Sequence, residues 1–410
     1  MSKTILVSLI IALGSLCFGA WEPLGPYGGS LSAIAAAPSN DNTIYVAPAA
    51  LPSGIHRSTD GGASWSKVGP ISSYVYTMAV DPTNPNIAYA GGYQSVYKTT
   101  NGGTSWTSAS VSNSYIQDLA VNPGTPAIVA AVGQVISGTK YVMGFFKSTN
   151  GGTSWSSVAL DTSSGMAYSV AIDPTNPNTI YVGGYSYITT VAPKIFKSTN
   201  GGTSFINMTS GIPATSYYVF SLAVHPTNSN IAYAGCYIGI FRTTNGGTSW
   251  TQTGSNYYYY SLATTRAAAD VAYAGADSCI YKTTNAGASW FYTSLGGGAA
   301  KAQRRVAASQ TGALTAFSTD AKGFFKTTNG GSNWFLSNYG IIMAAVNALG
   351  IAPSAPSTMY TEAYGVGVYR TTNNGSSWIT LPTPLSCGNI CAFIVHNTDP
   401  NSCFGLEGVG

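Results

Sequence analysis

Ser58-Thr59-Asp60-Gly61-Gly62-Ala63-Ser64-Trp65 returns seven more times along this 410-residue chain, with its third residue at Asn101, Asn150, Asn200, Asn245, Asn285, Asn329 and Asn373. The mean step is about 45 residues, the length of one supersecondary unit in a stacked or circular repeat architecture. In the second copy Val96-Tyr97-Lys98-Thr99 runs into Thr100-Asn101-Gly102-Gly103 and on to Thr104-Ser105-Trp106. That is an extended segment, a turn and a second extended segment, hence a β-hairpin. The short Asn or Asp side chain and the Ser/Thr hydroxyl accept turn amides, and the glycines permit positive φ. Seven of the eight tryptophans, Trp65, Trp106, Trp155, Trp250, Trp290, Trp334 and Trp378, close the motif, and Phe205 takes the place in the fourth copy. A ring that buries roughly 150–250 Å² and recurs so regularly is packing material.

Each unit parses into four strands. In the second, strand A covers 76–80, the turn Asp81-Pro82-Thr83-Asn84-Pro85-Asn86 follows, strand B covers 87–90, strand C covers 95–98, and strand D starts after Trp106. Proline donates no ladder hydrogen bond and Asn and Asp favour turns, so the A-to-B link is tight. His225 and His396 fall at the position of Asp81 in their units and read as turn residues. Trp21-Glu22-Pro23-Leu24-Gly25 reads as a strand D with no motif before it, while 391–395 and 403–406 read as strands A and B of a ninth unit. The fold expected is all-β, a stacked or circular array of four-stranded antiparallel units. Eight complete repeats and a partial ninth would be closed by the N-terminal strand; the alternative is a longer chain with further blades.

The pattern S-x-D-x-G-x-x-W resembles the Asp-box, or BNR, repeat. That family includes the propellers of sialidases, xyloglucanases, sortilin-type receptors and photosystem II assembly factors. The resemblance implies a β-propeller of four-stranded antiparallel blades and leaves the function open, since one fold hosts many sites. It also implies that the box lies away from the face that carries binding or catalysis. One departure is clear: only Asp60 keeps the acid, and the other seven copies carry Asn.

Residues 1–20 read as a secretory signal peptide, with Lys3, an apolar run over 5–16 and small residues Gly19 and Ala20. They are too short to span a membrane. The propeller is then expected over 21–410, at the cell surface or secreted. Charged residues are 7% of the chain, Gly numbers 48 and Tyr 28, and 17 Lys and Arg stand against 13 Asp and Glu. Eight of the basic residues, Arg57, Lys98, Lys147, Lys197, Arg242, Lys282, Lys326 and Arg370, occupy one repeat position just before the box. Charge spread round a ring in this way is not a nucleic-acid stripe, so no nucleic-acid partner is expected. No metal or other cofactor is expected either; Cys387, Cys391 and Cys403 with His396 do not show a recurring ligand spacing.

Function must then come from the face formed by the D-to-A and B-to-C loops. Its acids are few, and Asp277, Asp320 and Glu362 occupy B-to-C loops of three successive units, with Asp161, Asp118 and Glu407 as further members. A pair of such carboxylates about 5–9.5 Å apart is what a glycosidase needs. The sialidase version asks for three arginines on this face, and only Arg304 and Arg305 stand outside box and turn positions. The xyloglucanase version asks for an acid near strand C of the first unit, where 46–54 has none. The same face is rich in tyrosine: Tyr93, Tyr185, Tyr237 and Tyr364 follow strand B in their units, and 257–260 is a run of four. Tyrosine offers flat apolar area with a polar tip, which suits sugar rings and protein partners. The reading is a secreted or cell-surface binding or scaffold module for glycan or protein, its contacts made by those four tyrosines. The alternative is a glycoside hydrolase, sialidase-like or xyloglucanase-like, using the loop-face carboxylates.

Overall fold

The computed structural model describes residues 30–49, 54–71, 73–187, 189–277, 279–293, 304–320, 323–337, 346–363, 367–373, 378–381, 390–395, 398–401 and 403–407. The described regular structure is almost entirely antiparallel β. The first sheet is β1 (Leu31–Ala37), β2 (Asn40–Pro48), β3 (Gly54–Ser58) and β4 (Ser66–Pro70); the second is β5 (Thr77–Val80), β6 (Ala88–Gly91), β7 (Tyr93–Thr99) and β8 (Thr107–Tyr115). A seven-stranded sheet follows: β9 (Asp118–Val121), β10 (Val129–Ser137), β11 (Lys140–Ser148), β12 (Ser156–Ile172), β13 (Ile180–Tyr187), β14 (Val191–Ser198) and β15 (Ile206–Asn207). It carries two repeats, because β12 pairs with β11 through its first half and with β13 through its second. Three more four-stranded sheets are β16 (Val219–Val224) to β19 (Thr251–Gln252), β20 (Tyr259–Thr264) to β23 (Phe291–Thr293), and β24 (Arg305–Ala308) to β27 (Phe335–Leu336).

These strands form one compact unit, whose sequence-adjacent sheets pack in turn and whose last sheet packs on its first. The seam is explicit. Trp65 stands edge-on to Phe324 with ring centroids 4.8 Å apart, and its Nε1 donates to the Ser337 carbonyl at 3.0 Å. Lys326 Nζ donates to the Gly61 carbonyl at 2.8 Å, and Asp41 accepts from the Ser309 and Thr311 hydroxyls. The circle therefore contains five separate four-stranded blades and one seven-stranded sheet. Eight blades with a partial ninth are not what closes. The eighth box repeat belongs to a second unit, β28 (Val346–Ile351), β29 (Met359–Ala363), β30 (Gly367–Thr371) and β31 (Ile379–Thr380), together with the hairpin β32 (Ile390–Val395) and β33 (Cys403–Glu407). Within it Ala352, Tyr360 and Val395 form a small core. Box counting reports the number of units, whereas the wedge angle between packed blades decides where a ring closes. The signal peptide and the strand expected at Trp21 lie outside the described residues.

The box does what its spelling suggests. In the second copy Gly103 N donates to Thr99 Oγ1 at 2.9 Å, Ser105 N donates to Asn101 Oδ1 at 3.0 Å, and Asn101 Nδ2 donates to Ser105 Oγ at 2.9 Å. In the first copy Asp60 Oδ1 accepts from Ser64 N at 2.9 Å and Oδ2 accepts from Ser64 Oγ at 2.5 Å. Only the direction of the last bond reverses between acid and amide. Gly61 and Gly62 adopt φ of 70° and 87°, and a Cβ on Gly62 would meet the Phe324 ring at 2.5 Å. Asp60→Asn is accordingly expected to shift unfolding stability by less than about 0.5 kcal/mol, as for a surface change that keeps its hydrogen bonds. A larger loss in a urea titration would show a role for the charge.

The basic residue before the box is a clamp between blades. Lys147, Lys197 and Lys282 donate to the carbonyls of Gly201, Gly246 and Gly330 in the next box at 2.7–2.8 Å. Arg57 donates to Asn86 Oδ1 in the next blade at 2.7 Å. Several also lie over a strand-B tyrosine, as Lys197 does over Tyr181 at 5.2 Å. His225 is a turn residue: its Nδ1 accepts from Thr227 N at 3.3 Å, where Asp81 Oδ1 accepts from Thr83 N at 2.8 Å. His396 lies outside the described residues.

His56, in β3, is buried at 1% exposure, and burial, with nearby Lys67 adding to it, lowers its pKa to about 4. The fold thus holds the neutral imidazole. The stability this contributes is present above the unfolded value and is lost as pH falls from there through about 4. The total is about 3 kcal/mol at 1.36 kcal/mol per pKa unit. Unfolding titrations at pH 7 and pH 4.5 should show that loss, and His56→Leu should remove most of the difference.

Candidate functional site

The innermost strands β1, β5, β9, β12, β16, β20 and β24 line a central channel. Aligned by their pairing with the next strand, they carry Ala33, Thr77, Asp118, Ser169, Ser221, Ser261 and Arg305 at one level. From Asp118 onward this level is a relay. Asp118 Oδ2 accepts Val170 N at 2.9 Å, Ser169 Oγ accepts Leu222 N at 3.0 Å, Ser221 Oγ accepts Leu262 N at 2.9 Å, and Ser261 Oγ accepts Val306 N at 3.1 Å. Each side-chain oxygen ties its strand to the next one round the ring. Arg305 then breaks the pattern, since a guanidinium only donates.

Asp118 is saturated. Its oxygens also accept from Leu119 N at 2.9 Å, Ser169 Oγ at 3.0 Å and Thr77 Oγ1 at 3.3 Å. Burial raises its pKa, partly offset by those donors and by Arg305. Arg305 donates to the Tyr260 carbonyl at 3.3 Å, and burial lowers its pKa against the opposing pull of Asp118. Among the described residues no ion pair joins Arg305 to a carboxylate. Both groups are partly buried and face the channel.

One residue before this level stand Gln117, Tyr168, Phe220 and Tyr260. Together with Arg305 they line a cavity of about 230 Å³ at the channel mouth on the D-to-A and B-to-C loop side. Tyr168, Phe220 and Tyr260 are the extra residues of β-bulges: pairing steps from Ala167 to Ser169, from Val219 to Ser221 and from Tyr259 to Ser261. A bulge re-aims its side chain, here towards the channel. Outside them the rings continue without a break. Tyr168 stacks on Tyr185 at 5.7 Å, Tyr185 meets Tyr218 at 5.1 Å, and Tyr218 meets Tyr237 at 6.0 Å. Tyr237 stacks on Tyr258 at 4.1 Å with their hydroxyls hydrogen-bonded at 2.8 Å, Tyr258 meets Tyr260 at 6.4 Å, and Phe220 joins Tyr260 to Tyr168 at 5.1 and 5.7 Å. The result is a closed circuit of aromatic side chains over three successive repeats.

Of the tyrosines anticipated as contacts, Tyr185 and Tyr237 belong to this circuit. Tyr93 belongs to a separate cluster with Tyr115, Tyr76 and Tyr74, at 47% exposure and 4.8 Å from Tyr115. Tyr364 lies outside the described residues. Asp277 follows β21 (Ala272–Ala276) and bonds to Tyr260, raising that phenol's pKa further after burial has done so. Asp320 and Glu362 end or lie within β25 (Ala316–Asp320) and β29, and their side chains lie outside what is described. Asp161 is 3.9 Å from Lys194 Nζ. Sequence reasoning missed Tyr168, Tyr218, Phe220, Gln117 and the channel role of Arg305. For Gln117, Tyr168 and Phe220 the signal was the place just before the strand-A Asp or Ser, legible only once the strands are aligned. Among the described residues no cluster of His, Cys, Asp or Glu is arranged to hold a metal, and no helix is long and apolar enough to cross a membrane.

A ring of four-stranded antiparallel blades about a lined channel is a β-propeller. The family model for Sortilin-Vps10 (sortilin, neurotensin receptor 3) matches residues 53–185. Among solved structures, YCF48 from Cyanidioschyzon merolae is 14% identical with a TM-score of 0.53, the alignment covering 76% of this chain and 99% of that one. YCF48 bound to D1 peptide is 12% identical with a TM-score of 0.52, covering 76% and 98%. The GH74 xyloglucanase from Xanthomonas campestris is 11% identical with a TM-score of 0.37, covering 86% of each chain. No curated protein matches.

Proposed function

We propose that this chain is an exported β-propeller that works as a binding or scaffold module, taking glycan or protein on the channel mouth and its aromatic circuit. The observation that carries this reading is the unbroken circuit of Tyr168, Tyr185, Tyr218, Tyr237, Tyr258, Tyr260 and Phe220 on one side of that mouth. Such rings give large contact area at low conformational cost, and their hydroxyls and edges suit polyhydroxylated or peptide ligands. Export rests on the first 20 residues, and a protein partner is supported by YCF48, a protein of similar fold that is bound to D1 peptide in one solved structure. Tyr93 is assigned to the rim of the same face.

The double change Tyr185→Ala and Tyr237→Ala is expected to weaken retention on a polysaccharide and peptide panel by about thirtyfold or more, as for truncated aromatic anchors worth 2 kcal/mol. The melting temperature should hold within a few degrees. Unchanged retention would refute the platform. The panel is scored for released reducing sugar as well. Turnover abolished by Asp277→Asn, Asp320→Asn or Glu362→Gln would establish the hydrolase alternative, because a lost general acid or nucleophile removes orders of magnitude in rate.

A further inference from the structure

Arg305 occupies the channel level at which Asp118, Ser169, Ser221 and Ser261 each accept an amide from the next strand. A guanidinium there contributes nothing to that relay. Its one described bond, to the Tyr260 carbonyl at 3.3 Å, uses one of five donors, and the side chain lines the cavity with Gln117, Tyr168, Phe220 and Tyr260. The nearest acid offers a ligand little, since four protein donors already occupy the Asp118 oxygens. The cavity therefore presents donors to an anion and flat faces to a ring. Its volume of about 230 Å³ admits one ring-sized group.

Resting on the platform read above, we propose that this mouth takes a uronate residue of an acidic polysaccharide, its carboxylate on Arg305 and its ring among Tyr168, Phe220 and Tyr260. Planar guanidinium and carboxylate match as a bidentate fork, and a half-enclosed site strengthens the pair. A sugar is favoured over a peptide because the surroundings are phenols, a phenyl ring and an amide, flat faces and polar tips that suit a polyhydroxylated ring.

The test uses the full chain and two forms of one probe, an oligogalacturonate with free carboxylates and the same oligomer fully methyl-esterified. Wild-type protein should bind the acid form about tenfold or more tightly than the ester, as one charge-assisted contact provides. Arg305→Ser, which installs the residue of three sister strands, should bring the ratio to about one while leaving ester binding intact. Equal binding of both forms by the wild type would overturn the proposal without any variant. So would an unchanged ratio in a normally melting Arg305→Ser protein. A peptide with a free C-terminal carboxylate that binds tighter than the acid oligomer, and loses that advantage in Arg305→Ser, would overturn the sugar assignment. Binding of both oligomers as tight in Tyr185→Ala with Tyr237→Ala as in the wild type, with the acid preference intact, would refute the wider platform and leave the uronate site standing.

Discussion

Trp250→Ala is expected to lower the unfolding free energy by about 3–5 kcal/mol, the range for deleting a large buried aromatic. The indole is 3% exposed and packs in a cluster with Tyr181, Ile195, Ile212 and Leu222, drawn from its own blade and the one before it. Its Nε1 donates to the Met208 carbonyl at 2.8 Å, so truncation leaves both a cavity and an unpaired acceptor. Trp250→Phe should cost much less, because Phe205 fills the same place in its own repeat with its ring 4.8 Å from Phe145. Urea titrations of the three proteins measure this directly. Equal losses for Ala and Phe would mean that the indole hydrogen bond, not ring volume, holds the blades together.

Asp118→Ala should cost about 2–4 kcal/mol. It strips the partners from two backbone amides and two hydroxyls and leaves Arg305 without its balancing charge. Asp118→Ser should recover more than half of that loss, since a serine at this level accepts the next strand's amide in three other repeats. Thermal or urea unfolding of both variants decides. A serine variant as unstable as the alanine one would show that the Asp118 charge, rather than its place in the relay, is what matters.

Much of this molecule is readable from local spelling. The octad predicts its own hairpin because every bond in the box joins residues at most four apart. Strand order follows from the same periodicity, and the turn role of His225 follows from its alignment with Asp81. The tyrosine-rich face was legible as composition, and Tyr185 and Tyr237 were named from their place after strand B.

What needed the tertiary structure is what depends on distant residues meeting. Closure of the ring at the seam between Trp65 and Phe324 joins parts of the chain more than 250 residues apart on the basis of blade packing, and no count of boxes reports a wedge angle. The channel level from Thr77 to Arg305 appears only when innermost strands from different repeats are set side by side, because each bond in it crosses from one repeat to the next. The bulges that turn Tyr168, Phe220 and Tyr260 into the channel are likewise properties of strand pairing. Local spelling sets the repeat, its hairpin and the chemical character of one face; the packing of repeats round an axis decides which of those residues share a site.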